Sequence, residues 1–197
     1  MGAAGINDQR VAVGVNTLMQ LRPCRNGLPV AFVVRGLLMQ PDHRAALDFL
    51  HRIVHASGQN YTVGGPDTAP GFECSASKVV RYWPYPNSKF TYHTNHPRTN
   101  DDFSRRWLQM SQKAEKSPFE MVDCPRLVTC GEHLHVAAQP DVAAIKRLLA
   151  SRDKSPSVRN ANTYCCIVMV LGKQPELQMT AGGGDTGTFE TFGFSGR

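Results

Sequence analysis

The hexapeptide Tyr92-His93-Thr94-Asn95-His96-Pro97 concentrates residue types suited to acyl chemistry. Asparagine supplies a neutral, orientable amide N–H, which stabilises an oxyanion without presenting a competing charge. Lys89 to His93 reads as a strand and Pro97 breaks it, so Asn95 is expected at a strand-to-loop junction. Asn16 ends an earlier candidate strand and is a second amide of the same kind. Two such amides converging at strand ends would form a polar pocket. Arg159, in Ser155-Pro156-Ser157-Val158-Arg159, precedes the last apolar strand. A guanidinium there would bind a carboxylate or lower a neighbouring pKa. No evident nucleophile accompanies these groups. A Cys–His enzyme needs a thiolate beside a base, and Cys74 and His93 lie on neighbouring candidate strands. The apolar strand around Cys74 is nevertheless a setting in which a thiol is usually inert.

The remaining polar clusters carry less. His51 and His55 stand at i, i+4 on an expected helix, but Arg52 replaces the glutamate of an HExxH site, and both are expected at the surface. His133 and His135 are expected on one face of a short strand, without a partner. The glycine run 182–184 lacks the Lys-Ser/Thr of a phosphate-binding loop and reads as a turn. Asn60-Tyr61-Thr62 is a formal glycosylation sequon, expected to be idle. None of the six cysteines has CxxC spacing, so a zinc ribbon or redox motif is unsupported and most are expected to be buried free thiols. Neither a metal nor a cofactor is expected.

The elements that must position these groups follow from periodicity. Val11 to Asn16 alternates as a strand, with valines at 11, 13 and 15 on one face. Pro29 opens a helix with Val30, Val33, Val34, Leu37 and Leu38 at helical spacing, and Pro41-Asp42 starts a second with Ala45, Ala46, Phe49, Leu50 and Ile53. Short strands are expected at Asn60–Val63, Gly71–Ser75, Val79–Trp83 and Phe90–His93, separated by turn residues that include Ser77-Lys78 and Pro86-Asn87. Asp101 is expected to cap a helix from Asp102 to about Lys113, and Pro140-Asp141 to open another. Tyr164–Leu171 and Leu177–Thr180 return to strand. Such blocks indicate an α+β layered domain spanning 1–197.

At 197 residues and 41% apolar composition, the chain has the make-up of a folded domain. No apolar run approaches the ~20 residues of a membrane span. The N-terminus lacks the basic start and apolar core of a signal peptide, and Ile6 stands where myristoylation of Met1-Gly2 needs Ser or Thr. A cytoplasmic protein is the expectation. The net charge of +6 is spread along the chain, with Arg105-Arg106 and Lys146-Arg147 as the only adjacent basic pairs. That pattern disfavours a nucleic-acid binder and suits anionic small molecules equally well.

Several segments, taken in order, resemble the isopenicillin N acyltransferase (acyl-coenzyme A:6-aminopenicillanic acid acyltransferase) family of N-terminal nucleophile hydrolases. They are Gly5-Ile6-Asn7-Asp8-Gln9 with Val11–Asn16, then Leu28-Pro29-Val30, Ala56–Tyr61 and Phe72-Glu73-Cys74-Ser75. Tyr92–Pro97, Ser157-Val158-Arg159 and Cys165–Leu171 complete the series. His93-Thr94-Asn95-His96 is the most specific of them. The resemblance implies an αββα four-layer sandwich, and catalysis by an N-terminal cysteine that attacks an amide or thioester carbonyl. It gives Asn95 the oxyanion-hole role, Asn16 a second polar position and Arg159 a place near the nucleophile.

In the family, the nucleophile lies well upstream of the Gly-Ile-Asn motif, and none of the six cysteines here occupies its place. The expectation is therefore the C-terminal portion of an acyltransferase or amidohydrolase, with the sandwich incomplete at its N-terminus and no cysteine-dependent turnover. Its ligand would be a small acyl amide or acyl thioester. The alternative is a non-catalytic ligand-binding or interaction protein that kept the pocket and self-associates through exposed sheet edges.

Overall fold

The computed structural model describes residues 4–86, 88–136, 140–152, 158–159, 162–183 and 188–195. Met1-Gly2, Asn87, Ser155-Pro156-Ser157 and Gly184, named above, lie outside them. Among the described residues the architecture is α+β, with five helices and antiparallel sheets. The chain divides into two compact units, Met1–Asp123 and Cys124–Arg197.

The first unit is built on a five-stranded sheet in sequential order: β1 (Ala4–Ile6), β2 (Ala12–Thr17), β3 (Gln59–Gly64), β4 (Gly71–Cys74) and β5 (Val79–Tyr82). Every neighbouring pair is antiparallel. Between β2 and β3 run α1 (Val30–Leu38) and α2 (His43–Arg52). The expected apolar spacing holds: Val33, Val34, Leu37, Ala46 and Leu50 are buried against Val11, Val13, Tyr61, Val63, Phe72 and Cys74. Each of the buried valines and leucines contributes about 1.5–3 kcal/mol by leaving water. Asp42 caps α2, its carboxylate accepting from the Ala45 N–H at 2.8 Å.

Asn7 ties the β1–β2 turn to the end of α1. Its amide donates to the carbonyls of Leu38 (3.0 Å) and Gln40 (3.1 Å), while its oxygen accepts from the N–H groups of Gln9 (3.0 Å) and Val11 (2.8 Å). Gly5 lies where this hairpin meets α1, and Leu38 Cδ1 packs 2.6 Å from the place a Cβ would take. Strand alternation gives the sheet two unlike faces. The Val13, Tyr61 and Phe72 face is the helix-covered core. The register aligns Asn16, Asn60 and Glu73 across β2, β3 and β4 on the other face.

Two expected elements are corrected in this unit. Phe90–His93 is irregular chain, not a strand. It is fastened by side chains rather than a backbone ladder: Ser88 Oγ caps Phe90 (3.2 Å from its N, 2.7 Å from its O), and the His93 ring reaches the sheet at Glu73. The following helix, α3 (Arg105–Lys113), begins later than Asp102, with Ser104 as its cap at 3.3 Å from the Trp107 N–H. Asp102 is occupied elsewhere, accepting from Ser75 Oγ and Ser77 Oγ at 2.6 Å each and pairing with Arg22 Nε at 3.3 Å. Trp107 on α3 packs with Leu18, Leu21 and Phe103 in a second, smaller core.

The second unit holds α4 (Pro125–Val136), α5 (Val142–Ala150) and an antiparallel sheet of β6 (Cys165–Val170), β7 (Glu176–Ala181) and β8 (Glu190–Gly193). His133 and His135 lie on α4, not on a strand. Asp141 caps α5 as expected, accepting from the Ala144 N–H at 2.7 Å. No described helix is long and apolar enough to cross a membrane.

Candidate functional site

The polar face of the first sheet is organised by one carboxylate. Glu73 sits in the centre of β4 with its side chain fully buried. Such a group demands donors, because an unpaired buried charge is prohibitively costly. Four converge on it. Oε1 lies 2.8 Å from His93 Nε2 and accepts from the Arg98 N–H at 2.6 Å. Oε2 accepts from the N–H groups of Thr99 (3.0 Å) and Asn100 (2.7 Å). Asn100 Nδ2 adds a bond to the Glu73 carbonyl at 2.8 Å. Burial alone would raise the Glu73 pKa. The hydrogen bonds from His93, Asn100 and Thr99 outweigh it, so the carboxyl is held below its ordinary value.

His93 is equally enclosed, its side chain only 1% exposed. Nδ1 lies 2.5 Å from the Thr94 carbonyl, which can only accept, so Nδ1 carries a proton. The Tyr82 ring stands edge-on to the imidazole at 4.7 Å. The hexapeptide is thus fixed at His93, and its far side is fixed by the backbone of residues 98–100.

Asn95 lies between these two anchors. Its Nδ2 donates to the Thr17 carbonyl, 3.4 Å away at the end of β2. The amide therefore reaches the strand end that carries Asn16. Asn16 Oδ1 in turn accepts from Asn60 Nδ2 at 3.4 Å, which leaves its own N–H donors on the opposite side of the amide. The structure brings together the two sequence-predicted asparagines at one strand end. Arg159 belongs to the second unit, where its N–H donates to the Ser151 carbonyl at 3.3 Å and its side chain crosses the space that a Cβ on Gly183 would need.

The thiols do not join this arrangement. Cys74 adjoins Glu73 on β4, so alternation turns its side chain to the helix-covered face, away from His93. Cys74 is fully buried, with Sγ 3.6 Å from the Phe72 carbonyl. Burial, aided by the charge on Glu73, pushes its pKa well up. Burial likewise raises Cys130 to about 11. None of the six cysteines is in a disulfide.

Other candidates resolve as structure. His55 lies beyond the end of α2 and is buried, not at the surface: Nε2 meets the Leu50 carbonyl at 3.1 Å, and desolvation lowers its pKa. His51 packs edge-on to Phe72 at 5.2 Å. No cluster of His, Cys, Asp or Glu suited to a metal occurs among the described residues. Asn60 of the sequon is wholly buried in β3, which excludes glycosylation of the folded chain.

Sequence reasoning missed Glu73 and its contact with His93. The signal was present: one carboxylate within the apolar strand Gly71–Cys74 must find donors.

Residues 1–164 match the family described as acyl-coenzyme A:6-aminopenicillanic acid acyl-transferase. No curated protein matches the chain.

Proposed function

The chain belongs to the acyl-coenzyme A:6-aminopenicillanic acid acyl-transferase family, and from that membership we propose that it binds linear acyl amides or acyl thioesters at the end of β2. The observation carrying this reading is the reach of the Asn95 amide to the strand end of Asn16. In the proposed complex the acyl carbonyl oxygen accepts from Asn95 Nδ2, with Asn16 as a second donor. Both are uncharged, so their N–H dipoles favour negative charge on that oxygen without forming an ion pair to the substrate. Arg159, in the second unit, is proposed as a cationic group for an anionic part of the substrate. The family match crosses from the first unit into the second, which supports reading residues 1–197 as parts of one acyltransferase domain of the four-layer αββα type.

None of the six cysteines is proposed as the nucleophile. The burial of Cys74 on the opposite face from His93 supports that assignment. The experiment is incubation of the purified chain with hexanoyl-coenzyme A and with an N-hexanoyl amide, reading binding and product. The expected result is binding without cysteine-dependent turnover. Turnover abolished by Cys74→Ala would overturn it.

The same protected thiol favours a second reading, a non-catalytic ligand-binding protein built on this fold. It predicts binding of the intact thioester and no product at any enzyme concentration.

A further inference from the structure

We propose that Glu73 is a positioning residue for Asn95, acting as a carboxylate clamp that fixes both ends of the 94–97 turn. The role rests on the acyl-site reading of Asn95, but its geometry stands independently. Glu73 is on β4, which is paired on both sides in the sheet, and it touches the turn twice: through His93 before it and through the Arg98, Thr99 and Asn100 N–H groups after it. Residues 94–97 therefore span two fixed points that share one side chain. A shift of the carboxylate moves both.

The donor arithmetic explains why this position needs a carboxylate. Oε1 faces two donors, the His93 ring nitrogen and the Arg98 N–H, and Oε2 faces two backbone N–H groups. An ionised carboxylate accepts at both oxygens. Glutamine has the same shape but only one accepting atom. With its NH2 at the Oε1 position, it could donate to a neutral His93 ring, yet it would then oppose the Arg98 N–H. With its NH2 at the Oε2 position, it would oppose the N–H groups of Thr99 and Asn100. Either orientation leaves donor against donor in a buried site.

The charge balance is equally specific. Nδ1 faces the Thr94 carbonyl and Nε2 faces the carboxylate, so both ring nitrogens of His93 face acceptors, the arrangement that suits an imidazolium paired with Glu73. The other titratable groups around the pair are Tyr82 from β5, Cys74 on β4 and Arg98 of the loop. Tyr82 is raised to about 12 by burial, and Cys74 is raised as well, so both stay neutral at pH 7. Arg98 is the remaining cation, and its side chain is on an exposed residue. Glu73 thus neutralises the imidazolium while holding the turn.

Heteronuclear NMR of the intact chain tests the assignment. At pH 7, both ring nitrogens of His93 should carry protons in the wild type. In Glu73→Gln, one ring proton should be lost, and the backbone and side-chain amide signals of residues 94–97 should shift or broaden. Signals of β2 and β3 should hold. Cys74→Ala, on the same strand but the other face, should leave the Asn95 signals unmoved, and Asn95→Ala should leave His93 doubly protonated. If Glu73→Gln does not fold, His93→Gln carries the test, because it keeps the three backbone bonds to Glu73 while weakening the arm at Thr94. A folded Glu73→Gln or His93→Gln with unchanged Asn95 signals would overturn the proposal. Hexanoyl-coenzyme A supplies the functional arm: about tenfold weaker binding to Glu73→Gln is expected, equivalent to one hydrogen bond lost from the acyl oxygen. Absence of binding to the wild type would instead count against the acyl-site reading, and the NMR arm would still decide the clamp.

Discussion

Replacing Glu73 by alanine removes the acceptor of four donors at once, one of them the His93 ring and three of them backbone N–H groups. Leaving one member of a buried ion pair without its partner costs about 3–5 kcal/mol. The Asn100 side-chain bond to the Glu73 carbonyl survives, because it goes to the backbone. Glu73→Gln keeps the volume and some of the bonds, so its cost reduces to a donor facing a donor, about 1–3 kcal/mol. The order wild type, Glu73→Gln, Glu73→Ala should therefore appear in urea unfolding followed by tryptophan fluorescence. Both tryptophans, Trp83 and Trp107, lie in the unit 1–123 and report on it. The pH dependence has a definite sign. The folded-state pKa of Glu73 lies below its ordinary 4.5, so its contribution is complete above that pH and is lost as pH falls through the depressed value. Wild-type stability should thus fall more steeply than that of Glu73→Gln below about pH 4.5. A Glu73→Gln protein as stable as the wild type at pH 7 would refute the reasoning, because it would mean that the native side chain is already neutral.

Further predictions concern the supports of the site. Asn7→Ala deletes four hydrogen bonds at the junction of the β1–β2 turn with α1 and should cost about 2 kcal/mol in the same unfolding assay, allowing for partial exposure. Ser104→Ala removes the cap of α3 and should cost about 1 kcal/mol, read as a lower unfolding midpoint with unchanged slope. Cys74 should resist iodoacetamide in the folded chain and react once denatured, as read by peptide mass spectrometry. Equal labelling in both states would contradict its assignment to the core.

The framework was legible where sequence chemistry is local. Proline and aspartate before α2, valines on alternate positions of β2, and turn residues between β3, β4 and β5 each encode their element directly. The failures share a different cause. Phe90–His93 has strand composition, but its partner is a side chain twenty residues earlier, Glu73, and no periodicity reports that. His55 looked like the second histidine of a helical pair because the stop of α2 at Arg52 carries no glycine, and the chain then turns inward to bridge Leu28. The helix α4 was overlooked because its apolar positions do not form one clean stripe: Leu134 is buried while Val128 is exposed. At the site, residue type pointed to Asn95 and Asn16, and the bond from Asn95 to the Thr17 carbonyl is what brings the loop to the end of β2. The clamp beneath them depends on donors from 93 to 100 folding back over β4, which is a tertiary event.

The most direct test of the acyl-site account is calorimetric titration of hexanoyl-coenzyme A into the wild-type chain and Asn95→Ala. The account predicts binding to the wild type, about tenfold weaker binding to the variant, and equal unfolding midpoints for the two, as expected for loss of one hydrogen bond to the ligand. Equal affinities in two equally stable proteins would contradict it.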